Sequence, residues 1–177
     1  MDLGLQRAGH DIVLQCDVAP ECRTVLRKHF PGTLLWPDIA SLNQLPIETE
    51  LLAAGFPCTD VSIAGEKAGI YGPDTGLWTH IIRLLRHRPV PFVLLENVPG
   101  MLLSYRGREA AVATVAREFE RLGYNWAYRV IDAASFGMPV TRKRWFFCAS
   151  MYGDPRDVLL ADGHAVCMGG CLEGGLL

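Results

Sequence analysis

Apolar residues along the chain form short runs separated by stretches of helical spacing. Ile12-Val13-Leu14 centre one run over residues 11–16, Leu51-Leu52-Ala53-Ala54 form a second, and Phe92-Val93-Leu94-Leu95 a third. Each has strand length and is bounded by turn-forming or acidic residues. Between the second and third, Leu77, Trp78, Ile81, Ile82 and Leu85 recur every three or four positions, which predicts a helix ended by Pro89 and Pro91. Val112, Val115, Phe119 and Leu122 make a second stripe. Arg117, Glu118, Glu120 and Arg121 lie mostly outside it, and Gly123 is placed to cap it. Pro20 opens a further helix that ends near Phe30, before Pro31-Gly32. The period then changes to two. Trp126, Tyr128 and Val130 alternate with Ala127 and Arg129, and Trp145-Phe146-Phe147-Cys148-Ala149 follow as another short strand.

Strand–helix–strand alternation predicts an α/β fold, a doubly wound and mostly parallel sheet with helices on both faces. Ligands of such sheets bind beyond the carboxyl ends of the strands. A length of 177 residues fits one domain, expected over residues 1–150. From residue 151 the chain turns Gly-rich and loses periodicity, so residues 151–177 are expected to be a weakly ordered tail.

Composition narrows the function classes. Half the residues are apolar and 20% charged, which excludes a disordered chain. A net charge of −2 carries no overall nucleic-acid signature, so any such binding must be local. No apolar run approaches the roughly 18 residues of a membrane span. The six cysteines (16, 22, 58, 148, 167, 171) lack the spacing of a disulfide scaffold and read as reduced thiols of an intracellular protein, nuclear if eukaryotic and cytoplasmic if bacterial. His164, Cys167 and Cys171 have no fourth ligand, and a metal site is rejected.

Two strand ends carry the chemistry. Gly55-Phe56-Pro57-Cys58 sets a thiol in a stiff turn after the second apolar run, and Glu96-Asn97-Val98-Pro99-Gly100 sets a carboxyl after the third. Neighbouring strands lie about 4.8 Å apart. If these two strands are neighbours, Cys58 and Glu96 share one pocket. A thiolate can add to an electron-poor ring carbon while an acid holds or protonates a ring nitrogen. The thiol must ionise, and Arg142, Lys143 and Arg144 are the obvious source of positive charge if their loop folds back over the cleft. A thiol hydrolase would instead need a histidine partner. Of the five histidines (10, 29, 80, 87, 164) only His80 is a mild candidate. Arg83, Arg86, His87 and Arg88 read as the solvated, dipole-compatible end of a helix.

Three motifs in order now carry a resemblance: Gly55-Phe56-Pro57-Cys58 with Ser62, then Glu96-Asn97-Val98, then Phe136-Gly137-Met138-Pro139 followed by Arg142-x-Arg144. Over roughly residues 1–150 the chain resembles the DNA (cytosine-5) methyltransferase family. The resemblance implies a Rossmann-like fold of the S-adenosylmethionine-dependent type and methyl transfer to carbon 5 of a flipped-out cytosine in duplex DNA. It gives Cys58 the attack on carbon 6, Glu96 the hold on ring N3 and the exocyclic amine, and Arg142 and Arg144 the grip on base and adduct. It places S-adenosylmethionine against Asp17 and Val18, Asp38 and Ile39, Pro57 and Leu77. Ser62 and Lys67, in the loop after Cys58, and Asn97 are expected to face nucleic acid.

The chain departs from the family pattern in three places. The opening strand ending in Phe-x-Gly-x-Gly-Gly does not precede Met1, Val140 and Thr141 stand where a glutamine usually begins the arginine motif, and few residues follow Ser150. The expectation is an incomplete catalytic region, its first strand lacking and its activity low in isolation. A tRNA cytosine-5 methyltransferase and a non-catalytic remnant are the alternatives.

Overall fold

The structure is a computed structural model that describes residues 1–57, 77–104 and 109–161. A short helix α1 (Asp2–Arg7) precedes β1 (Leu14–Cys16), and Asp2 accepts a 2.6 Å hydrogen bond from the amide of Gln15. Helix α2 (Pro20–His29) starts on proline, has Glu21 in its first turn and Arg27, Lys28 and His29 in its last, all in accord with the helix dipole. It returns the chain to β2 (Leu34–Trp36), which pairs parallel with β1, Cys16 opposite Trp36. The apolar pattern does not predict β2 or α1. Three residues closed off by Pro37 are too short a run to show a period.

The larger sheet holds β3 (Leu51–Gly55), β4 (Phe92–Asn97), β5 (Asn125–Asp132) and β6 (Lys143–Ser150) in the order β3-β4-β6-β5. β3 and β4 are parallel and joined through α3 (Leu77–His87). After α4 (Ala111–Arg121) the chain lays down β5 at the far edge, and β6 returns between β4 and β5, antiparallel to both. Gly123, at a φ of +83°, caps α4 in the left-handed region that favours glycine.

One face of this sheet carries Leu52, Val93, Leu95, Trp145, Phe147 and Ala149. They are buried in one core with Trp78, Ile81, Ile82 and Leu85 of α3 and Val115 and Phe119 of α4. Fully burying one such side chain is worth about 1.5–3 kcal/mol. Phe119 is the hub, with ring centroids 6.0 Å from Trp78, 5.4 Å from Tyr124 and 5.1 Å from Phe147. The Tyr124 hydroxyl donates to the Val90 carbonyl at 2.6 Å and accepts from the Val90 amide at 3.1 Å, which fixes the approach to β4.

The arginines at the end of α3 are not merely solvated. Arg83 donates to the carbonyls of Ile39 (3.1 Å) and Leu42 (2.7 Å), clamping the segment after β2 to the helix of the larger sheet. Arg86 pairs with the largely buried Glu118 of α4 at 2.8 Å, and Arg88 reaches the carbonyls of Ile47 and Thr49. Charge at this helix end therefore ties elements together as well as suiting the dipole. The stretch after residue 150 also begins with structure. Helix α5 (Arg156–Leu159) packs on β5, held by Arg129, which donates to the Leu159 carbonyl at 3.0 Å. Residues 162–177, with His164, Cys167 and Cys171, lie outside the described residues.

Candidate active site

The parallel register brings two strand ends together. Gly55, last residue of β3, stands opposite Glu96, next to last in β4. A side chain at position 55 would put its Cβ 3.2 Å from a carboxylate oxygen of Glu96, so the glycine leaves that space to the acid. Cys58 lies three residues beyond Gly55, outside the described residues, as do Ser62 and Lys67. The structure does describe the path toward it. Phe56 is buried and packs 6.1 Å from Trp78, and Pro57 follows, exposed.

Asn97 fixes that path. It is 3% exposed, its side-chain amide donates to the Phe56 carbonyl at 3.1 Å, and its oxygen accepts from the Val98 amide at 2.8 Å. The sequence reading placed Asn97 toward nucleic acid. In the fold it is buried at the strand ends and holds the carbonyl of Phe56, two residues before Cys58. An asparagine directly after an acid at a strand end was the available signal, since buried side-chain amides serve backbone groups.

Glu96 is 27% exposed in its side chain and receives the guanidinium of Arg144, itself 25% exposed, at 2.9 Å. The pairing follows from β6 running antiparallel beside β4. Phe146 is opposite Glu96, and Arg144 lies two residues further on the same face. Arg144 also donates to the Lys143 carbonyl at 2.9 Å. Arg142 is exposed. Its backbone N–H donates to the Asp132 carboxylate at 3.0 Å and its carbonyl accepts from Ala133 at 3.1 Å. The two arginines therefore divide, one aimed at Glu96 and the other set at the rim.

A second cluster lies at the ends of β1 and β2. Asp17 follows β1, and its carboxylate accepts from the Ala19 amide at 2.8 Å. Asp38 follows β2 and accepts from the Ala40 amide at 2.8 Å. Asp38 caps the short turn it precedes, Asp17 closes a turn just ahead of α2, and a carboxylate with two oxygens retains further acceptor capacity. Val18 is exposed beside Asp17, and Ile39 is half-buried against the core beside Asp38. Leu77, half-buried, opens α3, the helix that the Ile39 segment packs against. Arg83 was not foreseen as a positioning residue, yet its clamp on the Ile39 carbonyl fixes this corner. Nothing in the spacing of a helix-end arginine separates a clamp from a solvated charge.

The two acids leave their mark on Cys16. Burial pushes its thiol up, and the Asp38 and Asp17 carboxylates push it further. Burial alone does so for Cys148. Both thiols stay protonated at neutral pH and are poor nucleophiles. With iodoacetamide at neutral pH, Cys16 and Cys148 are expected to alkylate more slowly than the exposed Cys22, as read by peptide mass mapping. Their raised folded pKa values also carry a sign for stability. The contribution is complete below the unfolded thiol pKa and is lost as pH rises through the folded values, so alkali destabilises the fold.

Among the described residues no group of three His, Cys, Asp or Glu could hold a metal ion, and no helix is long and apolar enough to cross a membrane.

A family model described as C-5 cytosine-specific DNA methylase matches residues 1–156. The Type II methyltransferase M2.BsuMI of Bacillus subtilis (strain 168) is 41% identical over 170 residues, which cover 93% of this chain and 43% of that protein. The Type II methyltransferase M.AquIA of Picosynechococcus is 29% identical over 169 residues, covering 86% of this chain and 68% of its own. The chain thus spans less than half of the first relative's length. Among solved structures, the S. pombe Dnmt2 methyltransferase superposes with a TM-score of 0.67 at 22% identity, over 92% of this chain and 51% of that one. At that identity the likeness is one of fold.

Proposed function

Since the chain belongs to the C-5 cytosine-specific DNA methylase family, we propose that it carries the chemistry of methyl transfer to carbon 5 of cytosine in DNA. The observation that supports this reading most is the abutment of Gly55 and Glu96, with Arg144 on the carboxylate and the Phe56 carbonyl held by Asn97. It sets an oriented acid beside the segment that delivers a thiol.

In this reading the target cytosine leaves the duplex, because its carbon 6 is shielded while stacked. Glu96 holds N3 and the exocyclic amine, and Arg144 fixes the carboxylate's orientation. The Cys58 thiolate adds to carbon 6, its electron pair forming the S–C bond while the ring's C5=C6 electrons shift to carbon 5. After methylation, loss of the carbon-5 proton and departure of the thiolate restore the ring. Arg142, at the rim, steadies the base and the adduct. Ser62 and Lys67 face the DNA backbone.

The donor set on β1 and β2 fits S-adenosylmethionine. Asp17 and Asp38 offer acceptors for sugar hydroxyls and an amine, and Val18, Ile39, Pro57 and Leu77 offer apolar surface for a ring. When bound, that cofactor supplies the electrophilic methyl group. Asp17 and Asp38 bind and orient, and take no part in proton transfer.

The test is covalent trapping. A duplex carrying 5-fluorocytosine, incubated with the complete gene product and S-adenosylmethionine, is expected to give a denaturant-stable protein–DNA band. Cys58→Ala should abolish the band. Equal trapping by the variant rules out Cys58 as the nucleophile, and acceptance of methyl groups by tRNA in place of duplex DNA would change the substrate.

A further inference from the structure

The rim of the sheet bears apolar side chains to which the reading above gives no role. β6 begins two residues beyond the level of Asn97, so the β5–β6 connection stands about 7 Å past the end of β4. Its tip exposes three apolar side chains within five residues: Phe136 at 70%, Met138 at 55% and Val140 at 47%. Apolar side chains on a loose loop would mean little, but this connection is held. Asp132 accepts from the amides of Ala134 (3.2 Å) and Arg142 (3.0 Å), and Ala133 donates to the Arg142 carbonyl at 3.1 Å. Gly137 turns the chain at a φ of +79°, and Met138 and Val140 close smaller turns behind it. Lys143 is exposed at its base, next to Arg142.

An aromatic ring, a methionine and a valine on a fixed support, flanked by cations, match the chemistry of a groove wedge. Such side chains part neighbouring base steps while the cations meet phosphates. The position agrees. A base whose ring edge lies at Glu96 leaves its duplex beyond this rim, where the connection stands. We propose that Phe136 and Met138 form an apolar wedge entering the duplex beside the extruded cytosine, with Lys143 on an adjoining phosphate. The inference rests on the reading of the site as a DNA cytosine methylase and adds to it a contact that stabilises the opened duplex.

The complete gene product with Phe136→Ala and Met138→Ala together is expected to show a KM for duplex DNA raised about tenfold, the scale of a lost stacking contact, with kcat within about twofold. With 2-aminopurine next to the target cytosine, the parent protein should raise fluorescence by unstacking the probe, and the alanine pair should lose most of that rise. Phe136→Leu with Met138→Leu should restore both. Lys143→Gln should lower the slope of log Kd against log salt by about one. A parent that methylates DNA while the alanine pair keeps its KM and fluorescence overturns the wedge and leaves the methylase reading intact. A parent that neither binds nor methylates duplex DNA overturns both. Should the alanine pair melt well below the parent, the Lys143→Gln slope and the leucine pair decide: an unchanged slope, or leucine variants still weak in DNA binding, overturns the proposal.

Discussion

Glu96→Ala is expected to lower kcat for methyl transfer by about 10²–10⁴-fold, the range for a positioned acid or base. Radiolabelled methyl incorporation at saturating DNA reads it. Stability should hardly move. The Glu96–Arg144 pair is about a quarter exposed on both sides, and pairs so placed contribute about 0–1 kcal/mol. The pairing therefore matters for aim more than for cohesion. Arg144 fixes one oxygen of Glu96, and Gly55 keeps the neighbouring space clear for the other. Glu96→Gln, which retains the shape, is expected to be impaired less than Glu96→Ala. Activity of the alanine variant within threefold of the parent would show that this carboxyl does not meet the reacting base.

Phe119→Ala carries the largest expected loss of stability, about 3–5 kcal/mol. Phe119 is fully buried and touches the rings of Trp78, Tyr124 and Phe147, so its removal opens a cavity where α3, α4 and β6 meet. A domain of this size loses about 2–4 °C of melting temperature per kcal/mol, so a fall near 10 °C is expected by calorimetry. The ring lies on the face of the sheet away from Glu96. Well below its melting point the variant should therefore bind DNA and turn over close to the parent rate. A fall in kcat without a fall in melting temperature would place Phe119 in the site's support instead.

Periodic segments were legible in the chain because burial on one face enforces a repeat. The α3 and α4 stripes, the runs of β3 and β4 and the alternation of β5 all appear where expected. The adjacency of β3 and β4, a condition in the sequence argument, is seen in the register. Pairings made across sequence distance were hidden. Nothing local in Lys143-Arg144-Trp145 says that β6 enters between β4 and β5, and only that insertion brings Arg144 to Glu96. The role of Asn97 was hidden for a related reason. Its partner is a backbone carbonyl 41 positions away, and a carbonyl leaves no sign in the residue type.

The late return of β6 has a consequence for how the protein is made. As the chain leaves the ribosome, β4 and β5 emerge with the place between them open, and each offers an unsatisfied edge until β6 arrives. The acid reaches its guanidinium only when that last strand docks, so the ion pair forms after the rest of the sheet is in place. A nascent or misassembled chain thus exposes its carboxylate without the residue that aims it.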